Sequence, residues 1–220
     1  MHLTIQNLTT IYEQIQSKIT ELNFKNYQPK IVAISKTFKM DHIEHLINYG
    51  HRDFGENKVQ EAVDKWIDVK DKNNKINLHM VGKLQTNKVK FALKVFDYIH
   101  SLDNVKLARK ISEEQKKHEK KPKLFVQINI GNENQKSGIK IDDLKDFYTT
   151  CKNFDLDIIG TMCIPPDDNK SENYFSNIKK LTESINLSET SMGMSNDFLD
   201  AIKYKSTYLR IGSKIFGERN

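Results

Sequence analysis

Tyr208-Leu209-Arg210-Ile211-Gly212-Ser213-Lys214-Ile215-Phe216-Gly217, close to the end of a 220-residue chain, reads as a short apolar strand that opens into glycine and hydroxyl residues. It is the last of eight strand-length runs: Ile31 to Ser35, Arg52 to Gly55, Asn77 to Val81, Tyr98 to Leu102, Leu124 to Ile130, Asp157 to Met162, Leu187 to Met192 and Thr207 to Ile211. Between them lie polar segments with apolar residues three or four apart, such as Val59-Ala62-Val63-Trp66 and Phe175-Ile178-Leu181, the spacing of one helix face. Strand and helix therefore alternate. Eight strands with helices between them predict an α/β fold, a single (β/α)8 TIM barrel forming one domain over residues 1–220. An opening helix, roughly Leu3 to Leu22, carries Ile5, Leu8, Ile11, Tyr12, Ile15 and Ile19 on one face. Little chain follows the eighth strand, so this helix is expected to cover part of the surface that a last helix would normally cover. An open doubly wound sheet is the alternative. It is disfavoured because no G-x-G-x-x-G follows the first strand, and Gly82-Lys83 lacks the first half of a G-x-x-x-x-G-K-[ST] phosphate loop.

Composition narrows the function classes. The net charge is +6, but the lysines are interleaved with Asp and Glu as on a solvated surface. The densest run, Gln115-Lys116-Lys117-His118-Glu119-Lys120-Lys121, lacks aromatics and reads as the exposed end of a helix, where cations suit the dipole. No nucleic-acid partner is expected. The opening Met1-His2-Leu3-Thr4 lacks the pattern of a signal peptide, and no stretch approaches the ~18 apolar residues of a membrane helix, so no membrane partner is expected either. Cys151 and Cys163 have neither metal spacing nor a disulfide framework, which points to a reducing, cytoplasmic setting. His42 and His45 lack an evident third ligand and read as surface residues, and no metal is expected.

In a barrel of this kind the C-terminal strand ends share one face, and that face carries function. Lys36 ends the apolar run Ile31-Val32-Ala33-Ile34-Ser35. A lysine against a low-dielectric core is pushed toward the neutral amine, which can attack an aldehyde. Arg210 and Gly212, two apart, fall on the same side of the eighth strand. Ser191-Met192-Gly193-Met194-Ser195 and Gly212-Ser213 supply hydroxyl and backbone N–H donors of the kind that cradle phosphate. A lysine and a phosphate cradle on one face together suggest pyridoxal phosphate. Asn57 reads either as the cap of the helix beginning near Lys58 or as a cofactor contact. His79 reads as a satisfied core histidine and Cys163 as packing.

The chain resembles the YggS/PROSC family of pyridoxal phosphate homeostasis proteins, which look like the barrel domain of alanine racemase standing alone. The matching motifs include Val32-Ala33-Ile34-Ser35-Lys36, Phe54-Gly55-Glu56-Asn57, His79-Met80-Val81-Gly82 with Leu84-Gln85-Thr86-Asn87-Lys88, Lys136-Ser137-Gly138, Ser191-Met192-Gly193-Met194-Ser195 and Arg210-Ile211-Gly212-Ser213. The resemblance implies that Lys36 holds pyridoxal 5'-phosphate as an aldimine and that Arg210 lies at the pyridine nitrogen. It also implies that Ser195, Gly212 and Ser213 hold the phosphate, with Asn57 and Met192 among the cofactor contacts. Two positions depart from the pattern: Ser213 stands where threonine is more usual, and Gly160-Thr161-Met162-Cys163-Ile164 where a more apolar Gly-Leu-Met-x-Ile is usual.

A racemase needs a base on each face of the bound substrate. Lys36 can serve one. The similar racemases take the opposing tyrosine from an added β domain of a partner subunit. Here the chain ends at Asn220, shortly after the last strand, so that domain is expected to be absent. The expectation is therefore a monomeric binding protein with no catalytic residues. It would store pyridoxal phosphate or hand it to cofactor-dependent apo-enzymes, and so influence amino-acid and keto-acid balance. The alternative is a weakly active amino-acid racemase.

Overall fold

The structure, a computed structural model, describes residues 2–118, 120–133 and 135–218; Glu119, within the lysine-rich run, and Asn220 lie outside the described residues. Eight parallel strands close into one barrel in chain order. They are β1 (Lys30–Ile34), β2 (Asp53–Glu56), β3 (Asn77–Met80), β4 (Tyr98–Leu102), β5 (Lys123–Ile128), β6 (Ile158–Cys163), β7 (Glu189–Met194) and β8 (Tyr208–Ile211). Around them run α1 (Leu3–Glu21), α2 (Met40–Tyr49), α3 (Val59–Lys72), α4 (Val89–Val95), α5 (Val105–His118), α6 (Leu144–Asn153), α7 (Ser171–Ser184), α8 (Phe198–Lys203) and α9 (Ser213–Phe216). The closing pair is β1 with β8, which sets Ile31 opposite Leu209, Val32 opposite Arg210 and Ala33 opposite Ile211.

Strand alternation divides the apolar residues into two cores. Ile31, Ala33, Phe54, Leu78, Leu209 and Ile211 face outward and join the large cluster under the helices. Val32, Ile34, Tyr98, Phe125, Met162 and Tyr208 face inward and fill the barrel as a second cluster. The short tail after β8 leaves one flank to α1, which packs on α2, α8 and α9. Asn7 donates to the Ile215 carbonyl at 3.0 Å across that contact. Leu8, Ile11, Ile15 and Ile19 are buried there, each contributing roughly 1.5–3 kcal/mol by leaving water. Tyr12, expected on the buried face, is 41% exposed. It lies at the edge of the stripe, its hydroxyl 3.5 Å from His51 Nδ1.

The departure at strand six has a local answer. Thr161, fully buried, points its hydroxyl at Thr182 of α7 at 2.5 Å, and Thr182 also donates to the Ile178 carbonyl. The polar atom that replaces an apolar side chain thus has a partner.

On the outer side of β1 and β2, Glu56 is wholly buried, and its Oε1 accepts from Ser35 Oγ (2.8 Å), Trp66 Nε1 (2.9 Å) and Lys65 Nζ (3.0 Å). Lys65 also donates to the Ser35 carbonyl at 3.0 Å. Burial pushes the Glu56 carboxyl above the usual range, opposed by Lys65, Trp66 and Ser35. These bonds fix the residue that immediately precedes Lys36. Glu56→Ala strands Trp66 Nε1 in a dry interface and removes one of the three acceptors of Lys65, and is expected to cost about 3 kcal/mol. Urea unfolding measures it, and Glu56→Gln, which keeps an acceptor, should lose less.

Candidate functional site

A cavity of about 490 Å³ opens at the C-terminal mouth of the barrel. It gathers Lys36 after β1, Ser195 after β7, and Arg210, Gly212 and Ser213 from β8 and the turn that follows. The barrel closure accounts for this, since β1 and β8 are neighbours although they lie at opposite ends of the chain. Ser195 Oγ accepts from the backbone N–H groups of Gly212 (3.3 Å) and Lys214 (3.5 Å), tying the β7 loop to the start of α9. Gly212 packs closely on β1: a Cβ there would sit 3.2 Å from the Cβ of Ile34, so a side chain would need Ile34 to give by a few tenths of an ångström.

Arg210 is 5% exposed. Its guanidinium donates from Nη1 to Ser191 Oγ at 2.7 Å and from Nη2 to the Cys163 carbonyl at 2.8 Å. Neither acceptor is a carboxylate. Burial lowers its pKa from the ordinary value, opposed by Cys163 and by Asp197. Asp197 lines the same cavity and accepts the Met194 N–H at 2.6 Å. Burial raises its carboxyl above the usual range. Cys163 is held as a thiol, its pKa pushed up to about 12 by burial, in keeping with a packing role.

Two of the expected cofactor contacts stand apart from this cavity. Met192 is wholly buried in the outer cluster under the helices, because alternation along β7 turns Ser191 inward and Met192 outward. Asn57 lines a smaller cavity of about 290 Å³ with Lys58, Lys83 and Lys88. Nor does it cap α3, whose N-cap is Lys58 without a side-chain bond. Its Oδ1 is buried with no hydrogen-bond partner, and its backbone presses on Gly82, where a Cβ would meet the Asn57 carbonyl oxygen at 2.3 Å.

The sequence reading missed what lies beneath Arg210. Ser191 Oγ also meets His100 Nδ1 at 2.7 Å. His100 Nε2 meets His79 Nδ1 at 2.9 Å, and His79 Nε2 meets Asp53 Oδ1 at 3.1 Å. Ser191, His79 and His100 are fully buried. The rings are clamped by stacking, His79 on Tyr98 (4.3 Å between centroids) and His100 on Phe125 (4.4 Å). The signal was available in the alternation of Tyr98 and His100 on β4, whose next residue, Ser101, is buried with its hydroxyl unpartnered.

A closed parallel barrel with a lysine at the tip of its first strand, facing hydroxyl and N–H donors after its seventh and eighth, defines a barrel protein built to hold a small anionic ligand. Residues 10–220 match the family described as "Alanine racemase, N-terminal domain", and the chain belongs to that family. It is 35% identical to the pyridoxal phosphate homeostasis protein of Pasteurella multocida (strain Pm70), over 98% of this chain and 97% of that protein. It is 30% identical to the protein of the same name from Escherichia coli (strain K12), over 97% and 96%. Among solved structures, PipY of Synechococcus elongatus PCC7942 with PLP bound superposes with a TM-score of 0.80 at 28% identity, over 92% of this chain and all of PipY. Alanine racemase of Clostridium difficile 630 shares the fold at a TM-score of 0.69 and 13% identity, over 94% of this chain and 57% of the racemase.

Burial, the largest influence on both rings, holds the pKa of His79 below its ordinary 6.5 and that of His100 well below it. A histidine depressed in this way keeps its full stability contribution above pH 6.5, and the contribution is lost as pH falls. The unfolded chain then takes up protons that the native protein excludes, up to about 1.4 kcal/mol per pH unit for each ring. In a histidine-resolved NMR titration both ring signals should titrate below the ordinary 6.5, His100 further below it than His79. A midpoint at or above the ordinary value for either ring would contradict the buried-neutral assignment.

Proposed function

We propose that this chain binds pyridoxal 5'-phosphate, with Lys36 as the residue that carries it, and serves intracellular vitamin B6 homeostasis by holding the cofactor rather than by turning over a substrate. The observation that carries the reading is the meeting, in one cavity of about 490 Å³, of Lys36, Arg210 and the Ser195–Gly212–Ser213 donor group. Relatives called pyridoxal phosphate homeostasis proteins and the PipY structure with PLP bound support this reading.

The residues present fit the group. The backbone N–H groups of Gly212 and Lys214 and the hydroxyls of Ser195 and Ser213 are clustered donors of the kind a phosphate accepts from. Bound in this cavity, the cofactor supplies an aldehyde that condenses with a primary amine. Lys36 is the amine at the barrel tip, held at its neighbour Ser35 by Glu56 and Lys65. Arg210 presents a fixed donor at the base of the cavity. Because a guanidinium does not give up its proton, a ring nitrogen that accepts from it stays unprotonated, which weakens the ring as an electron sink. That favours retention over carbanion chemistry.

Racemisation would require a second proton-transfer group facing Lys36. Among the described residues no tyrosine lines the cavity. Tyr98 and Tyr208 belong to the inner cluster with Val32 and Phe125, and burial pushes the Tyr208 phenol far above its usual range.

Protein purified with the cofactor, or exposed to it, should show a visible imine band that borohydride abolishes, with the label mapping to Lys36. Lys36→Ala should lose the reducible adduct. A label on another lysine would remove Lys36 from the role. Arg210→Ala should weaken retention of the cofactor by about 1–3 kcal/mol, the cost of a buried charge-assisted bond left unmade, read by equilibrium titration. Robust, Lys36-dependent turnover on a panel of amino acids would favour the racemase reading instead.

A further inference from the structure

We infer that His79, His100 and Ser191 are positioning residues for Arg210, and that Asp53 at the opposite mouth of the barrel governs how firmly Arg210 grips the cofactor. The cofactor part of this inference rests on the reading proposed above. The chain of bonds does not.

Donor and acceptor counting gives the chain a direction. Arg210 can only donate, so Ser191 Oγ accepts from it at 2.7 Å. Ser191 has one hydroxyl proton, and its other neighbour in the chain is His100 Nδ1 at 2.7 Å. With neutral rings that nitrogen carries the lone pair, and the His100 proton sits on Nε2, donated to His79 Nδ1 at 2.9 Å. The His79 proton then sits on Nε2 and is donated to Asp53 Oδ1 at 3.1 Å. The reverse order would need one extra proton, on His79 or on Asp53, because a carboxylate has none to give.

Every bond thus points from the cation to the carboxylate. Each link turns its negative end toward Arg210 and its positive end toward Asp53, so the links polarise one another and stabilise both charges. With its proton directed to His100 Nδ1, the Ser191 hydroxyl turns its lone pairs toward Arg210. Five strands contribute one residue each, and burial keeps water from replacing a missing link. The far end is reachable. The Asp53 side chain is 17% exposed and lines a cavity of about 440 Å³ beside Lys30, His51 and Arg52.

Two measurements test this. In cofactor-free labelled protein, long-range nitrogen–proton spectra should show both rings neutral with the proton on Nε2. An imidazolium at His79 with an Nδ1–H tautomer at His100 would reverse the chain and overturn the inference. In the second, Asp53→Asn removes the charge but keeps an acceptor for His79 and Asn77. It should weaken pyridoxal phosphate affinity about 3–10-fold, the scale of one net hydrogen bond. In an Arg210→Ala background the same substitution should change affinity by less than about twofold, since coupled residues are non-additive. His100→Gln, with one acceptor and one donor, should recover most of the affinity lost in His100→Leu. Unchanged affinity in Asp53→Asn, or an equal loss with and without Arg210, would overturn the inference. A wild-type protein that ignores the cofactor while its rings show the Nε2–H pattern would sink the cofactor reading and leave the chain of bonds standing.

Discussion

The pairing of β1 with β8 is the constraint on which the site depends. It closes the barrel, and its register sets Val32 beside Arg210 and Ala33 beside Ile211. Side chains alternate across a strand, so a one-residue slip would turn Arg210 outward toward the helices and Leu209 inward. The lysine tip of the first strand and the donor turn after the last are far apart in sequence, and only this ladder makes them neighbours. The outer apolar set, with Ile31, Ala33, Leu209 and Ile211 under the helices, supplies the energy that holds the register.

The inside of the barrel is less conventional than its outside. A (β/α)8 interior is usually filled by branched apolar side chains. Here Val32, Ile34, Phe125 and Met162 share the space with two tyrosines, two histidines, a serine and an arginine. Each buried polar group left unpaired costs about 1–3 kcal/mol, and a domain has only about 5–15 kcal/mol of net stability. Such an interior is therefore tolerable only because its members bond to one another. The same arithmetic makes it specific: a side chain that breaks one link exposes its neighbours to the full penalty.

The fold was legible because its signal is repeated. Eight apolar runs separated by helical spacing over-determine a parallel barrel, and an error of a residue or two at any boundary, as at β5 and β7, changes nothing. The pieces of the candidate site that could be read were those marked by unusual residue types at strand ends: Lys36, Arg210, Gly212 and the two serines. Met192 and Asn57 were drawn from whole motifs, which do not say which way a side chain faces. The inner chain was hidden for a different reason. Asp53, His79, His100 and Ser191 come from four separate strands, and each in isolation is an ordinary core or rim residue. Their meeting depends on barrel stagger, which spacing along one strand does not encode.

The two groups that matter most for the proposed function are supported from opposite sides of the barrel wall. Lys36 follows Ser35, which is fixed from outside by Glu56, Lys65 and Trp66 between the strands and α3. Arg210 is fixed from inside by Ser191 and the histidines. In the proposed function, covalent capture of an aldehyde rests on the outer support of Ser35, and the grip on a ring rests on the inner support of Arg210. For the proposed role of holding a reactive cofactor, supports on opposite sides of the barrel wall have physical value: a substitution among the inner histidines alters the grip on the ring from the inside, while Ser35 beside the amine is held from the outside.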